Sequence, residues 1–313
     1  MHTKTAIGKT GLQAFHIGLG AGVVGNTMMY PKVTEDMGKE IIHAALDHGI
    51  DFIDTAYLYG LGRSEELIGE ALQQRGIREQ VVLSTKASSN PQFAEGGLEV
   101  DNSPAALRQA VEDSLQRLRT DYIDIFFLHF PNSHTPLDEA AAALAELKRE
   151  GKIRAIGASN LDFNQLQQFN ADRHLDILQT EYSLLARKAE EQIIPYCLQH
   201  GISVIPIFPL SSGLLAGRYN KDDVFTDTAR MNHPLFQREA YLESLERVER
   251  LKAFAQQKRQ EPAQIALAWL LQQPGVDHII PGASRPEQIE DNLRTLDVQL
   301  SEDDLRKIDA IFR

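Results

Sequence analysis

Ile123-Asp124-Ile125-Phe126-Phe127-Leu128-His129, then Leu137-Asp138-Glu139-Ala140-Ala141-Ala142-Ala143-Leu144-Ala145-Glu146-Leu147-Lys148-Arg149-Glu150-Gly151, then Ile153-Arg154-Ala155-Ile156-Gly157-Ala158 read in turn as strand, helix and strand. The first and third stretches are short β-branched or aromatic runs. The middle stretch spaces its apolar side chains helically. Gly151 follows it, where a left-handed C-cap is needed.

The same alternation extends in both directions. Strands are predicted at 16–19, 52–54, 81–85, 123–129, 153–158, 177–179, 204–208 and 278–281. Helical patterns occupy 35–48, 64–74, 104–118, 137–150, 162–169, 189–200, a broken stretch over 242–273, and 286–296. Ser103-Pro104 supplies an N-cap and a proline at the first helical position, where a missing N–H costs nothing. Gly49 and Gly201 end helices as Gly151 does. Eight strand–helix units with no Pro/Gly/Ser linker favour a closed parallel (β/α)₈ barrel in the α/β class over an open sheet. Residues 4–7 and 12–15 flank Lys9-Thr10-Gly11 as a β-hairpin capping one end, and 301–312 forms a C-terminal helix. Residues 211–240 show no clear period, as functional loops often do.

Composition narrows the class. The chain has 313 residues, 42% of them hydrophobic, enough for a large core. Barrels of this length form one domain, expected here over 1–313. No apolar run reaches about 20 residues, so no membrane span is expected. The N-terminus carries no apolar signal region and reads as mature protein. Cys197 is the only cysteine. It forbids an internal disulfide and suits a reducing cytoplasm, and its apolar helical context marks a buried small hydrophobe. A net charge of −12 argues against nucleic acid or anionic membrane as partner, leaving a small-molecule substrate.

Ionisable residues collect where barrels place active sites, at the C-terminal strand ends. Asp54 ends the second strand, Lys86 directly follows the third, His129 ends the fourth, and Tyr59 lies five residues past Asp54. Each alone has an ordinary structural use. Together they suit carbonyl reduction by hydride, in which the developing alkoxide needs a proton. A tyrosine hydroxyl can give it, although its ordinary pKa is about 10. A nearby ammonium lowers that pKa, an aspartate orients the ammonium, and a histidine can orient the carbonyl or help relay the proton.

The stretch from Asp51 to Gly60, continuing through Ser64-Glu65-Glu66-Leu67-Ile68-Gly69, resembles the aldo-keto reductase signature. So do Asp121-Tyr122-Ile123-Asp124 with His129, the stretch from Gly151 to Asn160, and Ile280-Pro281-Gly282-Ala283-Ser284-Arg285. The resemblance covers nearly the whole chain and leans to the bacterial branch that includes the Bacillus inositol-operon and general-stress NADPH-dependent reductases. It implies a barrel, NADPH extended across the strand ends, and a catalytic set of Tyr59, Lys86, Asp54 and His129. The implied carboxamide site is Ser159, Asn160 and Gln179. The implied nicotinamide and pyrophosphate residues are Gly20, Ala21, Asp54, Ile207, Phe208, Pro209, Leu210, Ser212, Gly213 and Arg218. The adenosine end falls on Gly282, Ser284, Arg285, Gln288, Asp291 and Asn292. A guanidinium at a helix start can take a 2′-phosphate, so Arg285 favours NADPH over NADH. Two departures stand out. Ile207 occupies a position where many relatives stack an aromatic ring, leaving Phe208 as a substitute, and Gly282 and Gln288 replace the lysine and arginine of others.

Gly20-Ala21-Gly22-Val23-Val24-Gly25 matches a dinucleotide-binding pattern, but Asn26 to Pro31 is a poor helix start. These glycines read as an active-site loop. Two other functions stay open: a slow-turnover nicotinamide-binding sensor or regulatory subunit on the same barrel, and a metal-dependent barrel enzyme. The second needs more clustered ligands than Asp54 and His129, and Lys86 would repel a metal. No metal is expected. The substrate walls would come from Met28, Met29, Tyr30, Phe130 and the 211–240 segment.

Overall fold

The computed structural model describes residues 4–87, 89–94 and 97–313; the first three residues of the N-terminal reading lie outside them. Strands β1 (Thr5–Ala6) and β2 (Gln13–Ala14) pair antiparallel, giving the expected hairpin. There follow β3 (Leu19–Gly20), α1 (Glu35–Asp47), β4 (Phe52–Asp54), α2 (Arg63–Arg75) and β5 (Val82–Ala87). A second antiparallel pair, β6 (Ser89–Ala94) and β7 (Gly97–Asp101), precedes α3 (Pro104–Leu118). Then come β8 (Ile123–Leu128), α4 (Leu137–Arg149), β9 (Ile153–Ser159), α5 (Phe163–Phe169), β10 (Ile177–Glu181), α6 (Ile193–His200) and β11 (Ser203–Ile207). The chain ends in α7 (Thr228–Met231), α8 (Arg238–Lys258), α9 (Pro262–Leu271), α10 (Glu287–Leu293) and α11 (Glu302–Phe312).

Seven strands form one parallel curled sheet, β3-β4-β5-β8-β9-β10-β11. The eighth predicted strand, 278–281, is not a strand. It meets β3 and the residues before it through isolated bridges, Ile17 with Ile279 and Gly20 with Gly282. Pro281 has no N–H to give a ladder, although its carbonyl accepts from the Gly20 N–H at 3.2 Å. On the far side, the Val204 N–H donates to the Gly275 carbonyl at 3.0 Å. The barrel thus closes through a few backbone hydrogen bonds rather than a full strand.

Two apolar layers explain this arrangement. Phe52, Val82, Ile125, Phe127, Ala155, Ile177, Ile205 and Ile280 fill the barrel interior, with Ile7 and Ala14 of the hairpin region packed against them. The larger layer lies between sheet and helices, where Leu83, Phe126, Leu128 and Ile156 meet Leu107, Val111, Leu144 and Leu166. Ser103 caps α3 with Pro104 at the first turn. Gly49, Gly151 and Gly201 are left-handed, at φ 79°, 80° and 64°. The long helical stretch breaks between α8 and α9, where Arg259 is left-handed at φ 57° and Pro262 begins the next helix. Residues 211–240 are more ordered than their lack of period suggested: they hold a 3₁₀ turn at Ser211–Ala216, α7, and another turn at Pro234–Phe236.

Gly60 sits in the turn that carries Tyr59. Its φ is 68°, and a Cβ there would lie 2.1 Å from the Gly25 carbonyl oxygen. Gly60→Ala is expected to destabilise the protein by about 1–3 kcal/mol through overpacking and backbone strain, read as a lower urea midpoint. An unchanged midpoint would show that the turn can relax freely.

Candidate active site

Asp54 is the last residue of β4, and its register partner on β5 is Ser84. Side chains alternate along a strand, so Ser84 and Lys86 share one face, into the barrel. Lys86 therefore lies within β5, not after the third strand as expected, because that strand continues to Ala87. β8 ends at Leu128, which leaves His129 one residue beyond it. Tyr59 occupies the turn before α2, where its carbonyl accepts from the Ser64 N–H at 3.1 Å.

The four side chains meet. Lys86 Nζ donates to Asp54 Oδ2 at 2.6 Å and to the Thr55 carbonyl at 2.8 Å. Asp54 Oδ1 accepts from Ser84 Oγ at 2.6 Å and from Gln179 Nε2 at 2.8 Å. Asp54 and Lys86 are each only 2% exposed, and such a buried pair needs this degree of hydrogen bonding to offset its desolvation. Lys86 Nζ lies 5.2 Å from the Tyr59 ring centre. The Tyr59 and His129 rings are 6.4 Å apart and edge-on at 89°.

The electrostatics depart from expectation at one point. Burial raises the Tyr59 pKa above its ordinary 10; Lys86 pulls it down and Asp54 adds to the rise. The predicted effect of Lys86 is present, but desolvation is larger. Burial also opposes the Lys86 charge, yet Asp54 and then Tyr59 outweigh it and hold its pKa above the usual 10.5. Burial, followed by Lys86, keeps His129 well below 6.5 and hence neutral near pH 7. His129 Nδ1 is buried with no hydrogen-bond partner among the described residues.

The residues expected to hold a cofactor fall into three groups along the chain. Ser159 ends β9 and is the register partner of Gln179 on β10. Gln179 is fully buried, and its Oε1 has no partner among the described residues. An orphaned amide oxygen beside a serine hydroxyl fits a carboxamide, which needs both an acceptor and a donor. Asn160, left-handed at φ 58°, donates to Ser159 Oγ at 2.8 Å and to the His129 carbonyl at 2.9 Å. Gly20 lies in β3, and the Ala21 N–H donates to the Asp54 carbonyl at 2.8 Å, so both border this group.

The second group follows β11. Ile207 ends the strand and is half-buried, while Phe208 is left-handed at φ 52° and has already left it. The predicted strand at 204–208 is therefore shifted one residue earlier. The Phe208 ring meets His233 edge-on at 5.9 Å, among the aromatic side chains of the following segment. After Pro209 and Leu210, Ser211, Ser212 and Gly213 are also left-handed. The Ser212 carbonyl accepts from Tyr219 Oη at 3.1 Å and Arg230 Nε at 3.2 Å, which ties the later segment back to this loop. Arg218 is exposed.

The third group surrounds the start of α10. The Ser284 N–H and hydroxyl both donate to Gln288 Oε1, at 2.7 and 3.1 Å. Asn292 Nδ2 donates to the Gly282 carbonyl at 3.4 Å, and the Asp291 carbonyl accepts from Gln264 Nε2 at 3.3 Å. Arg285 is half-exposed and lies 3.8 Å from Glu287.

No helix opens at the Gly20–Gly25 motif; the first begins at Glu35. A Cβ on Gly20 would lie 2.5 Å from the Ile280 carbonyl, so this glycine serves barrel closure. The thiol of buried Cys197 is pushed up to about 12 by desolvation and is inert at neutral pH. Among the described residues no group of three His, Cys, Asp or Glu side chains is placed to hold a metal, and no helix is long and apolar enough to cross a membrane. The sequence reading missed Ser84 and the Thr55 carbonyl, both of which secure the Asp54–Lys86 pair. Ser84 could have been found from its two-residue spacing to Lys86.

Comparison with known proteins gives the family. The aldo/keto reductase family model matches residues 16–313. The chain is 37% identical to the aldo-keto reductase YhdN of Bacillus subtilis, over 98% of this chain and 93% of that protein. It is also 37% identical to the NADH-specific methylglyoxal reductase of Escherichia coli, over 96% of this chain and 95% of that protein. The structure of the glycerol dehydrogenase AKR11B4 from Gluconobacter oxydans superposes with a TM-score of 0.88 at 32% identity, covering 98% of this chain and 94% of that one. With the family model matching nearly the whole chain and relatives and fold in agreement, this chain belongs to the aldo/keto reductase family.

Proposed function

We propose that the chain, as one barrel domain over 1–313 in a cytoplasmic setting, reduces the carbonyl of an aldehyde or ketone with NADPH, and that Tyr59 is the general acid. The observation that carries this reading is the buried Asp54–Lys86 pair lying under the Tyr59 ring, with neutral His129 edge-on to it. The bound cofactor would supply the hydride. Burial keeps the Tyr59 hydroxyl protonated at neutral pH, so a proton waits at Oη. As that proton leaves, the Lys86 ammonium stabilises the phenolate, and Asp54 holds Lys86 in place. Neutral His129 can donate one N–H to the carbonyl oxygen and fix its approach. Gln179 and Ser159 would hold the carboxamide, Arg218 the pyrophosphate, and Arg285 the 2′-phosphate.

The cofactor assignment rests on Arg285, and the E. coli relative is named as NADH-specific. The test is oxidation of NADPH and of NADH with a panel of simple aldehydes and ketones, on wild type and Arg285→Ala. Turnover above background is expected. The ratio of NADPH to NADH efficiency should fall about tenfold in the variant, as loss of one half-exposed charged contact implies. Background turnover with both cofactors would leave a binding protein rather than an enzyme. An unchanged ratio would remove Arg285 from the 2′-phosphate.

A further inference from the structure

We infer that Asn102 is a positioning residue for His129, acting through the backbone of Phe130. The inference rests on the placement of His129 at the substrate carbonyl.

A histidine ring in an active site is usually aimed by a hydrogen bond to its second nitrogen. Here Nδ1 is buried and has no partner among the described residues, so no such bond sets the direction of the ring. Two sets of contacts among the described residues bear on it instead. The first is stacking: the His129 and Phe130 rings lie 4.4 Å apart at 27°. The second is a pair of asparagine side chains that hold successive carbonyls. Asn160 Nδ2 donates to the His129 carbonyl at 2.9 Å, and Asn102 Nδ2 donates to the Phe130 carbonyl at 2.8 Å.

Asn102 is well placed for this task. It is fully buried and stands where β7 passes into α3, one residue before the Ser103 cap. The neighbouring Ser103 N–H donates to Asp101 Oδ1 at 2.8 Å, which fixes the local backbone. The next loop adds a reciprocal tie, with Asn132 Nδ2 donating to the Val100 carbonyl at 3.0 Å. The segment after β5, which carries Lys86, is thereby joined to the segment after β8, which carries His129. Losing the bond to the Phe130 carbonyl loosens the backbone beyond His129 and, with it, the ring stacked on His129. A shift of about 1 Å in such a group can slow a reaction by as much as 10²-fold.

The test is a double-mutant cycle on the full chain. Asn102→Leu keeps the approximate shape and removes the donor; Asn102→Ser is a second, smaller variant in case the first does not fold. Each is combined with His129→Ala. For each protein, kcat, KM for one aldehyde, the dissociation constant of NADPH by calorimetry and the melting temperature are measured. We expect kcat to fall about tenfold in either Asn102 variant, with NADPH affinity within twofold of wild type. In the His129→Ala background, the Asn102 change should lower kcat by less than twofold, because the group it positions is gone. Equal kcat losses in both backgrounds would overturn the inference, as would a lowered melting temperature with unchanged kcat. If His129→Ala alone leaves kcat unchanged, the placement of His129 fails first, and that result is distinct from the others.

Discussion

Tyr59→Phe is expected to lower kcat for carbonyl reduction by about 10²–10⁴-fold, the range for loss of a positioned general acid. In barrier terms this is about 3–5 kcal/mol. The substitution keeps the ring that faces Lys86 and His129, so cofactor affinity and melting temperature should stay near wild type. Tyr30 supplies the control. Its hydroxyl pKa is raised by burial and then by Tyr59, which places a second phenol in the same neighbourhood. The hydrogen bonds of Lys86 go to Asp54 and the Thr55 carbonyl, not to Tyr30. Tyr30→Phe should therefore cost less than tenfold. Stopped-flow or steady-state oxidation of the reduced nicotinamide reads both variants. A Tyr59→Phe enzyme retaining more than a tenth of wild-type kcat would show that the proton comes from elsewhere.

The residues behind this prediction were largely visible in the sequence, because strand ends in a parallel barrel share one face. Asp54, Lys86 and His129 each sit at or next to the end of an apolar run, and that places them together without any contact being known. The helices were legible for a similar reason: Ser103-Pro104 and the glycines after α1, α4 and α6 are local signals. What stayed hidden depends on distant partners. That Gln179 donates to Asp54 across 125 positions cannot be read from either residue. The break of the eighth strand lies in Pro281, whose missing N–H matters only once β3 is its neighbour. The β6–β7 hairpin lacks the apolar alternation that marks a core strand. The family signatures also mix roles that spacing does not separate. Asp124 looks like a strand-end carboxylate, but it binds Arg78 at 2.8 Å, Arg154 at 3.0 Å and the Leu83 N–H at 3.0 Å, away from the tetrad. Glu65, in the signature that carries Tyr59, is buried against Arg117 and Thr85, both at 2.6 Å. Both carboxylates hold elements together, and only their partners reveal it.

Lys86→Met should separate the structural use of the buried pair from its chemical use. The variant leaves the Asp54 carboxylate with Ser84 and Gln179 alone, and breaking a buried ion pair from one side costs about 3–5 kcal/mol. The sign of the pH dependence follows from the raised Lys86 pKa. A cation whose pKa is higher in the folded state contributes its full stability below its unfolded value of 10.5, and loses it as pH rises through the folded value. The stability gap between wild type and variant should thus be constant from pH 6 to 9 and narrow only above 10.5. Chemistry should respond in a different way. Lys86 lowers the Tyr59 pKa against the larger effect of burial, so its loss raises that pKa further. A weaker acid donates more slowly, and carbonyl reduction should fall by about 10²-fold. Alcohol oxidation needs the phenolate as base and should fall further, with its rise toward alkaline pH displaced to higher pH. Urea melts across pH, together with pH profiles in both reaction directions, test these statements. An oxidation profile that keeps its wild-type position in Lys86→Met would mean that the ammonium does not act on Tyr59, leaving Lys86 only its ion pair with Asp54.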